Sequence, residues 1–391
     1  MESSLDWIDD EAAKWTDLGL SRRLRTHGPA RAGKLDREGR ELVNFGSNNY
    51  LGLADDPRVI AAALAAAERE GWGAGASPLV TGWSESHHRL AAALAAFEHA
   101  EAVALFPSGF AANLGTIPTL VGPGDAVYQD RLNHACLIDG AKLSGARLRI
   151  YPHVDMNRLE SILTRDRGRF RRALIATDGV FSMDGDLAPL ADLADLADRF
   201  GAMLLVDEAH GTGVFGPNGR GAAAESGVAQ RITIRMGTLS KALGSAGGFV
   251  AGSRRLIDWL INHARPLVYS TGLPPAAAAA AQRALELSIE EPWRRAHLFH
   301  LGRLLHEGLR HLGYATGNGV GPIVPIYIGP AQESLDLSQE LEKQGFLAPA
   351  IRPPTVPAGT ARLRLGLCAS HTEEDITQFL EFMSRRTPSR E

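Results

Sequence analysis

The chain has 391 residues, a formal net charge of −4, 45% hydrophobic residues and 22% charged ones, the balance of an ordinary globular protein with room for two domains. That near-neutral charge argues against nucleic acid as the main partner, and the lack of any apolar run of about 18 residues argues against a membrane span. Two cysteines far apart, Cys136 and Cys368, suit small core or pocket-wall residues better than a disulfide framework or a zinc site, so no metal is expected.

The opening segment MESSLDWIDDEAAKW is acidic and lacks the basic and apolar regions of a signal peptide, which predicts a cytoplasmic protein. Trp7, Ile8, Ala12, Ala13 and Leu18 predict one helical stripe, followed by the basic cluster Arg22, Arg23 and Arg25, whose guanidinium forks suit a carboxylate or a phosphate. Glu41 to Phe45 reads as a short strand, and Gly46-Ser-Asn-Asn-Tyr50 as a turn. Alanine-rich Val59 to Glu70 reads as a helix. The glycines from Gly71 to Gly75 imitate a dinucleotide fingerprint, but a helix precedes them and Pro78 stands where the third glycine belongs, which excludes it. Glu85 to His99 predicts a helix with Leu90, Leu94 and Phe97 on one face. Its His87 and His88 point in different directions and make a poor metal pair.

From here strand and helix patterns alternate. Strands are expected at 102–106, 125–128, 148–151, 173–177, 203–206 and 232–235, with an amphipathic helix at Leu190, Leu193 and Leu196 ending at Gly201. This predicts an α/β fold with a mostly parallel sheet covered on both faces. Ligands gather at the carboxyl ends of such strands, and those ends carry Ser108 to Phe110, His134, Ser182, Asp207, His210 and Lys241. The helix start at Gly109 offers free N–H groups to an anion. Lys241 stands between small hydroxyl residues and a glycine-rich run, where a partly desolvated amine becomes a nucleophile toward carbonyls. A long alanine-rich helix begins after Pro274, and a smaller α+β unit is expected from about residue 286, with strands at 323–328 and 361–368. In the second of these, Arg362 and Arg364 alternate with Leu363 and Leu365, as on a half-buried strand.

These groups jointly suit pyridoxal phosphate (PLP). Lys241 would bind its aldehyde, Asp207 its ring nitrogen and His210 its phenolic oxygen. His134 would stack on the ring, and Gly109, Phe110 and Thr238 would hold the phosphate. No strict G-x-S-x-G elbow favours a serine hydrolase. A non-catalytic PLP-binding regulator would need an appended DNA-binding unit, for which the length leaves no room.

DEAHGTGVFG together with GTLSKALGSAGG resembles the α-oxoamine synthase family of fold-type I PLP enzymes, and NFGSNNYLGL, FPSGFAAN and DGVFSMDGD look like its segments. The resemblance runs from about Arg22 to the C-terminal strand. It implies a PLP-dependent acyltransferase with an N-terminal arm (1–50), a large PLP-binding domain with a mostly parallel seven-stranded sheet (51–285) and a small C-terminal α+β domain (286–391). Such enzymes condense an amino acid with an acyl thioester and release carbon dioxide. IRPPTVPAGTARLRL points to the branch that joins L-alanine to a pimeloyl thioester in biotin biosynthesis. The alternative is a sibling using glycine. By motif, Lys241 is the Schiff-base lysine, catalytic together with His134 and Asp207. Gly109, Phe110, Ser182, His210 and Thr238 complete the cofactor set. Arg352 is assigned the amino acid carboxylate, with Arg22, Asn48, His134 and Thr355 on the substrate side. Asp178 stands where the family commonly has glutamate. The resemblance also implies a homodimer, and it leaves coenzyme A and acyl carrier protein open as the acyl carrier.

Overall fold

The computed structural model describes residues 4–386. They group into two compact units. The larger comprises Asn49–Ser182 and Asp186–His297; the other comprises residues 4–48, Met183–Gly185 and 298–386.

The larger unit is built on a seven-stranded sheet. Its strands, numbered along the chain, are β1 (Ala102–Phe106), β2 (Ala126–Asp130), β3 (Arg147–Tyr151), β4 (Ala173–Asp178), β5 (Met203–Asp207), β6 (Ile234–Thr238) and β7 (Gly248–Gly252). Their order is β1-β7-β6-β5-β4-β2-β3. Only β7 runs against its neighbours, β1 and β6; the other pairs are parallel. Runs such as AVALF in β1 are buried at every position, as a sheet covered on both faces requires. Helix Gly109–Leu120 starts on a cap in which Ser108 accepts from the Ala111 N–H. Helix Leu190–Phe200 buries Leu190, Leu193, Ala194, Leu196 and Ala197, a helical stripe, and ends where Gly201 turns left-handed at φ 56°. Leu137, Leu174, Leu205, Ile234, Val250 and Leu260 lie in the main core cluster.

Two strands of this sheet differ most from expectation. The strand expected at 232–235 lies at Ile234–Thr238, because Ile232 follows a 3-10 turn and the Thr233 hydroxyl accepts from the Leu204 N–H. Glycine 237 belongs inside it: a Cβ there would meet the Phe249 ring at 2.4 Å and Thr212 Oγ1 at 2.8 Å. Strand β7, hidden in the glycine-rich run, was not expected.

The smaller unit holds two sheets. Strands Ala30–Arg31, Lys34–Arg37, Arg40–Asn44 and Phe346–Leu347 form one, the last pair parallel. Ile323–Gly329, Ala361–Gly366 and Ala350–Ile351 form an antiparallel second. Phe45 and Phe346 both meet Phe379 edge-on. The N-terminal residues thus share a sheet with the C-terminal segment, whereas the expected division set 1–50 apart as an arm. The other boundary falls at 297/298, within helix Trp293–His311, rather than at 285/286. A continuous helical hydrogen-bond ladder leaves no linker composition to mark it. The N-terminal stripe does form a helix, Asp6–Asp17, but it buries no residue. Strand Ala361–Gly366 is buried throughout, not on one side. Arg362 is tolerated there because its guanidinium pairs with Asp184 and lies 4.7 Å from the Tyr327 ring centroid.

Candidate active site

The candidate groups of the larger unit come from the carboxyl ends of β1, β2, β4, β5 and β6 and the turns that follow. β5 ends in Asp207, 3% exposed, whose Oδ1 accepts from the Ala209 N–H at 2.8 Å. Oδ2 accepts from Asn113 Nδ2 at 2.7 Å. Burial raises the Asp207 pKa, against the opposing charge of Lys241 and the hydrogen bond from Ala209. Directly across the β4–β5 pair stands Asp178. Burial and the Asp207 charge push its carboxyl well above the usual range, and one oxygen accepts from the His134 N–H at 2.7 Å.

Three residues beyond Asp207, the buried His210 holds its Nε2 2.7 Å from Nζ of Lys241. Its Nδ1 lies 2.6 Å from the hydroxyl of Tyr50, fully buried. Lys241 follows β6 and is half-buried. At the end of β6, the Thr238 hydroxyl donates to the Gly247 carbonyl at 3.0 Å. A Cβ on Gly109 would lie 3.3 Å from the Thr238 Cβ, so β6 and the start of helix Gly109–Leu120 form one cradle. The first-turn N–H groups at Gly109 and Phe110 are of the kind a helix leaves without an internal partner. The Phe110 ring meets the His134 ring edge-on, centroids 6.4 Å apart. His134 caps helix Ala135–Ser144, its Nδ1 accepting from the Cys136 N–H. Burial lowers its pKa, against the raising charge of Asp207. Ser182 sits in the turn beyond β4. Among the described residues no cluster could hold a metal, and no helix is long and apolar enough to cross a membrane.

Arg22, Asn48, Arg352 and Thr355 belong to the smaller unit. There Arg22 Nη2 donates to Thr355 Oγ1 at 3.1 Å, and Arg352 donates to the Gly19 carbonyl. Burial, and then the charge of Arg22, lower the Arg352 pKa. A half-buried guanidinium beside a second positive charge is a natural seat for a carboxylate.

Sequence reasoning assigned no role to Tyr50 or Asn113 and read Cys136 only as a core or pocket-wall residue. A signal for Asn113 existed: it stands four residues after Gly109, one turn along the same helix face.

The donor set fits PLP: an amine beside an imidazole, a buried carboxylate for a ring nitrogen, and a helix start for a phosphate. The sequence profile of the aminotransferase class I and II family matches residues 40–383. A structure of SPT with a PLP internal aldimine superposes with a TM-score of 0.92, at 32% identity over 98% of both chains. The chain is therefore a PLP-dependent enzyme with the fold of the class I and II aminotransferases. An 8-amino-7-oxononanoate synthase of Anaeromyxobacter dehalogenans is 49% identical over 385 residues, 98% of this chain and 96% of the relative. A structure of the Francisella tularensis protein of the same name matches with a TM-score of 0.76 at 30% identity, covering 88% of this chain and 97% of that one. The chain belongs to the 8-amino-7-oxononanoate synthase family.

Proposed function

We propose that the chain joins L-alanine to a pimeloyl thioester, giving 8-amino-7-oxononanoate, carbon dioxide and free thiol, in biotin biosynthesis. What carries this reading is the amine of Lys241 held by His210 at 2.7 Å in a chain 49% identical to a protein of that name over nearly its whole length. The motif around Arg352 supports alanine over glycine as the amino acid.

When bound, PLP supplies an electron sink for the charge left at the α-carbon of the amino acid. Asp207 keeps a proton on the ring nitrogen, and its burial makes that pairing strong. His210 hydrogen-bonds the phenolic oxygen. Gly109, Phe110, Ser182 and Thr238 receive the rest of the cofactor. Arg352 takes the carboxylate of alanine, and Arg22, Asn48 and Thr355 serve the substrates. Lys241 would remove the α-proton of alanine as general base. His134 polarises the thioester carbonyl while the new carbon–carbon bond forms and the carbon–sulfur bond breaks, the thiolate leaving with a proton. The resulting β-keto acid then loses its carboxylate as carbon dioxide, and a proton takes its place. A homodimer in the cytoplasm is part of the same reading.

The test is product formation from L-alanine and pimeloyl-coenzyme A, read by mass spectrometry, with glycine as competitor. Lys241→Ala is expected to abolish turnover. Near-normal turnover in that variant would sink the scheme. Preference for glycine would overturn the substrate assignment alone.

A further inference from the structure

Behind the groups just assigned lies a buried chain of hydrogen bonds that none of those roles uses. Asn113 is fully buried. Its Nδ2 donates to Asp207 Oδ2 at 2.7 Å and to Cys136 Sγ at 3.0 Å. Its Oδ1 is buried without a hydrogen-bond partner. An amide present only to pack would turn that oxygen toward a donor. Here the turn would set Oδ1 against the Asp207 carboxylate. The unmet acceptor carries a penalty, and a bond to a charged acceptor is the stronger kind that offsets it. Asp207 therefore fixes which way the amide faces.

Cys136 passes this order on. Its backbone N–H donates to Nδ1 of His134 at 3.3 Å, and its Sγ lies 2.9 Å from the same nitrogen. The backbone N–H makes that nitrogen an acceptor, so the thiol meets it as a donor through its S–H. The other acceptor in reach, Asp207 Oδ2, is 3.9 Å away. The thiol keeps its proton, because burial and then the Asp207 charge push its pKa up. His134 Nδ1 thus faces two donors and must be bare, which leaves the ring proton of neutral His134 on Nε2.

We propose that Asn113 and Cys136 are positioning residues: together they hold the Asp207 carboxylate in place and lock His134 in the tautomer protonated on Nε2. Only that tautomer has a proton on Nε2 to donate to a thioester carbonyl; the other offers a bare acceptor there. One buried amide so sets the proton pattern of two of the three catalytic side chains. This rests on the reading of His134 and Asp207 as groups that face cofactor and substrate.

The experiment is nitrogen-15 NMR of histidine-labelled holoenzyme, the His134 signal being the one absent from His134→Gln. The expected wild-type signal is a bare Nδ1 and a protonated Nε2. Cys136→Ser keeps a donor and should keep that signal and the activity. Cys136→Ala and Asn113→Leu should give a tautomer mixture. Their kcat should fall about 10-fold and about 10- to 100-fold respectively, the range of one lost hydrogen bond, with KM for alanine little changed. A wild-type proton on Nδ1, or an unchanged His134 signal in both Cys136→Ala and Asn113→Leu, overturns the inference. Normal turnover in His134→Gln would instead overturn the reading of the site beneath it.

Discussion

His153 ties the stability of the larger unit to alkaline pH. Its Nδ1 lies 3.0 Å from Asp130 Oδ1, and its Nε2 lies 2.9 Å from Asp186 Oδ2. The Phe181 ring meets it edge-on, with centroids 4.4 Å apart. Burial alone would lower the imidazole pKa, but the hydrogen bonds and charges of the two carboxylates outweigh it and hold the value up at about 10. In the unfolded chain histidine titrates near its ordinary value, about 6.5. A pKa raised by folding adds stability that is fully present below that unfolded value. It is lost as pH rises through about 10. The span between the two values corresponds to at most roughly 5 kcal/mol. The side chain is 26% exposed, and screening by water brings the expectation to roughly 2 kcal/mol. The assay is urea unfolding of the wild type and His153→Gln at several pH values between about 6 and 10.5. Glutamine has no charge to lose, so the stability gap should be widest near pH 6 and narrow through about pH 10. Taking the difference removes the lysines and tyrosines that titrate in the same range. A gap that stays constant with pH would mean that the folded imidazole is neutral and would refute the ion-pair account.

Two further perturbations test the framework of the site. A Cβ on Gly248 would lie 2.6 Å from both the N and the Cα of Gly109. Those are backbone atoms that cannot swing aside, so Gly248→Ala must displace the helix start assigned to the phosphate. PLP affinity should fall about 10-fold or more in equilibrium dialysis; unchanged affinity would move the phosphate elsewhere. Glu98 and Arg235 form a buried pair at 3.2 Å, with side chains 2% and 5% exposed. Glu98→Ala strands an arginine that cannot shed its charge and should cost about 3–5 kcal/mol in urea unfolding. Arg235→Leu should cost less, because burial already pushes the Glu98 pKa up to about 7, despite Arg235, and the acid can take a proton.

The large sheet was legible because strands covered on both faces carry their burial in composition. AVALF, ALIA and MLLV are continuous apolar runs, and their shortness marks them as strands rather than buried helices. Legibility failed where a strand is made by a partner rather than by its own residues. Gly237 and Gly248 have weak strand preference, yet β6 and β7 pair through them, Gly248 opposite Thr238 and Phe249 opposite Gly237. The same cause misplaced Arg362: alternation with leucine suggested an exposed face, and only the distant Asp184 and Tyr327 make burial of a guanidinium tolerable.

The candidate site divides along the same line. Residues at strand ends could be found one at a time, since topology alone sends the carboxyl ends of parallel strands to one rim. That argument brought Asp207, His210, Lys241 and His134 forward before any distance was known. The groups that adjust them are invisible to it, because their significance is a pairing. Tyr50 lies 160 positions from the His210 nitrogen it meets, and Asn113 lies 94 from the carboxylate it holds. Taken alone, each is a polar residue in a family-like segment. In the fold, each lies within hydrogen-bond distance of a candidate site group, Tyr50 of His210 and Asn113 of Asp207. If that is where the chemistry is tuned, a serine hydroxyl and a cysteine thiol at position 136 should be interchangeable and a methyl group should not. The amino acids that can stand there are then limited by proton donation, not by size.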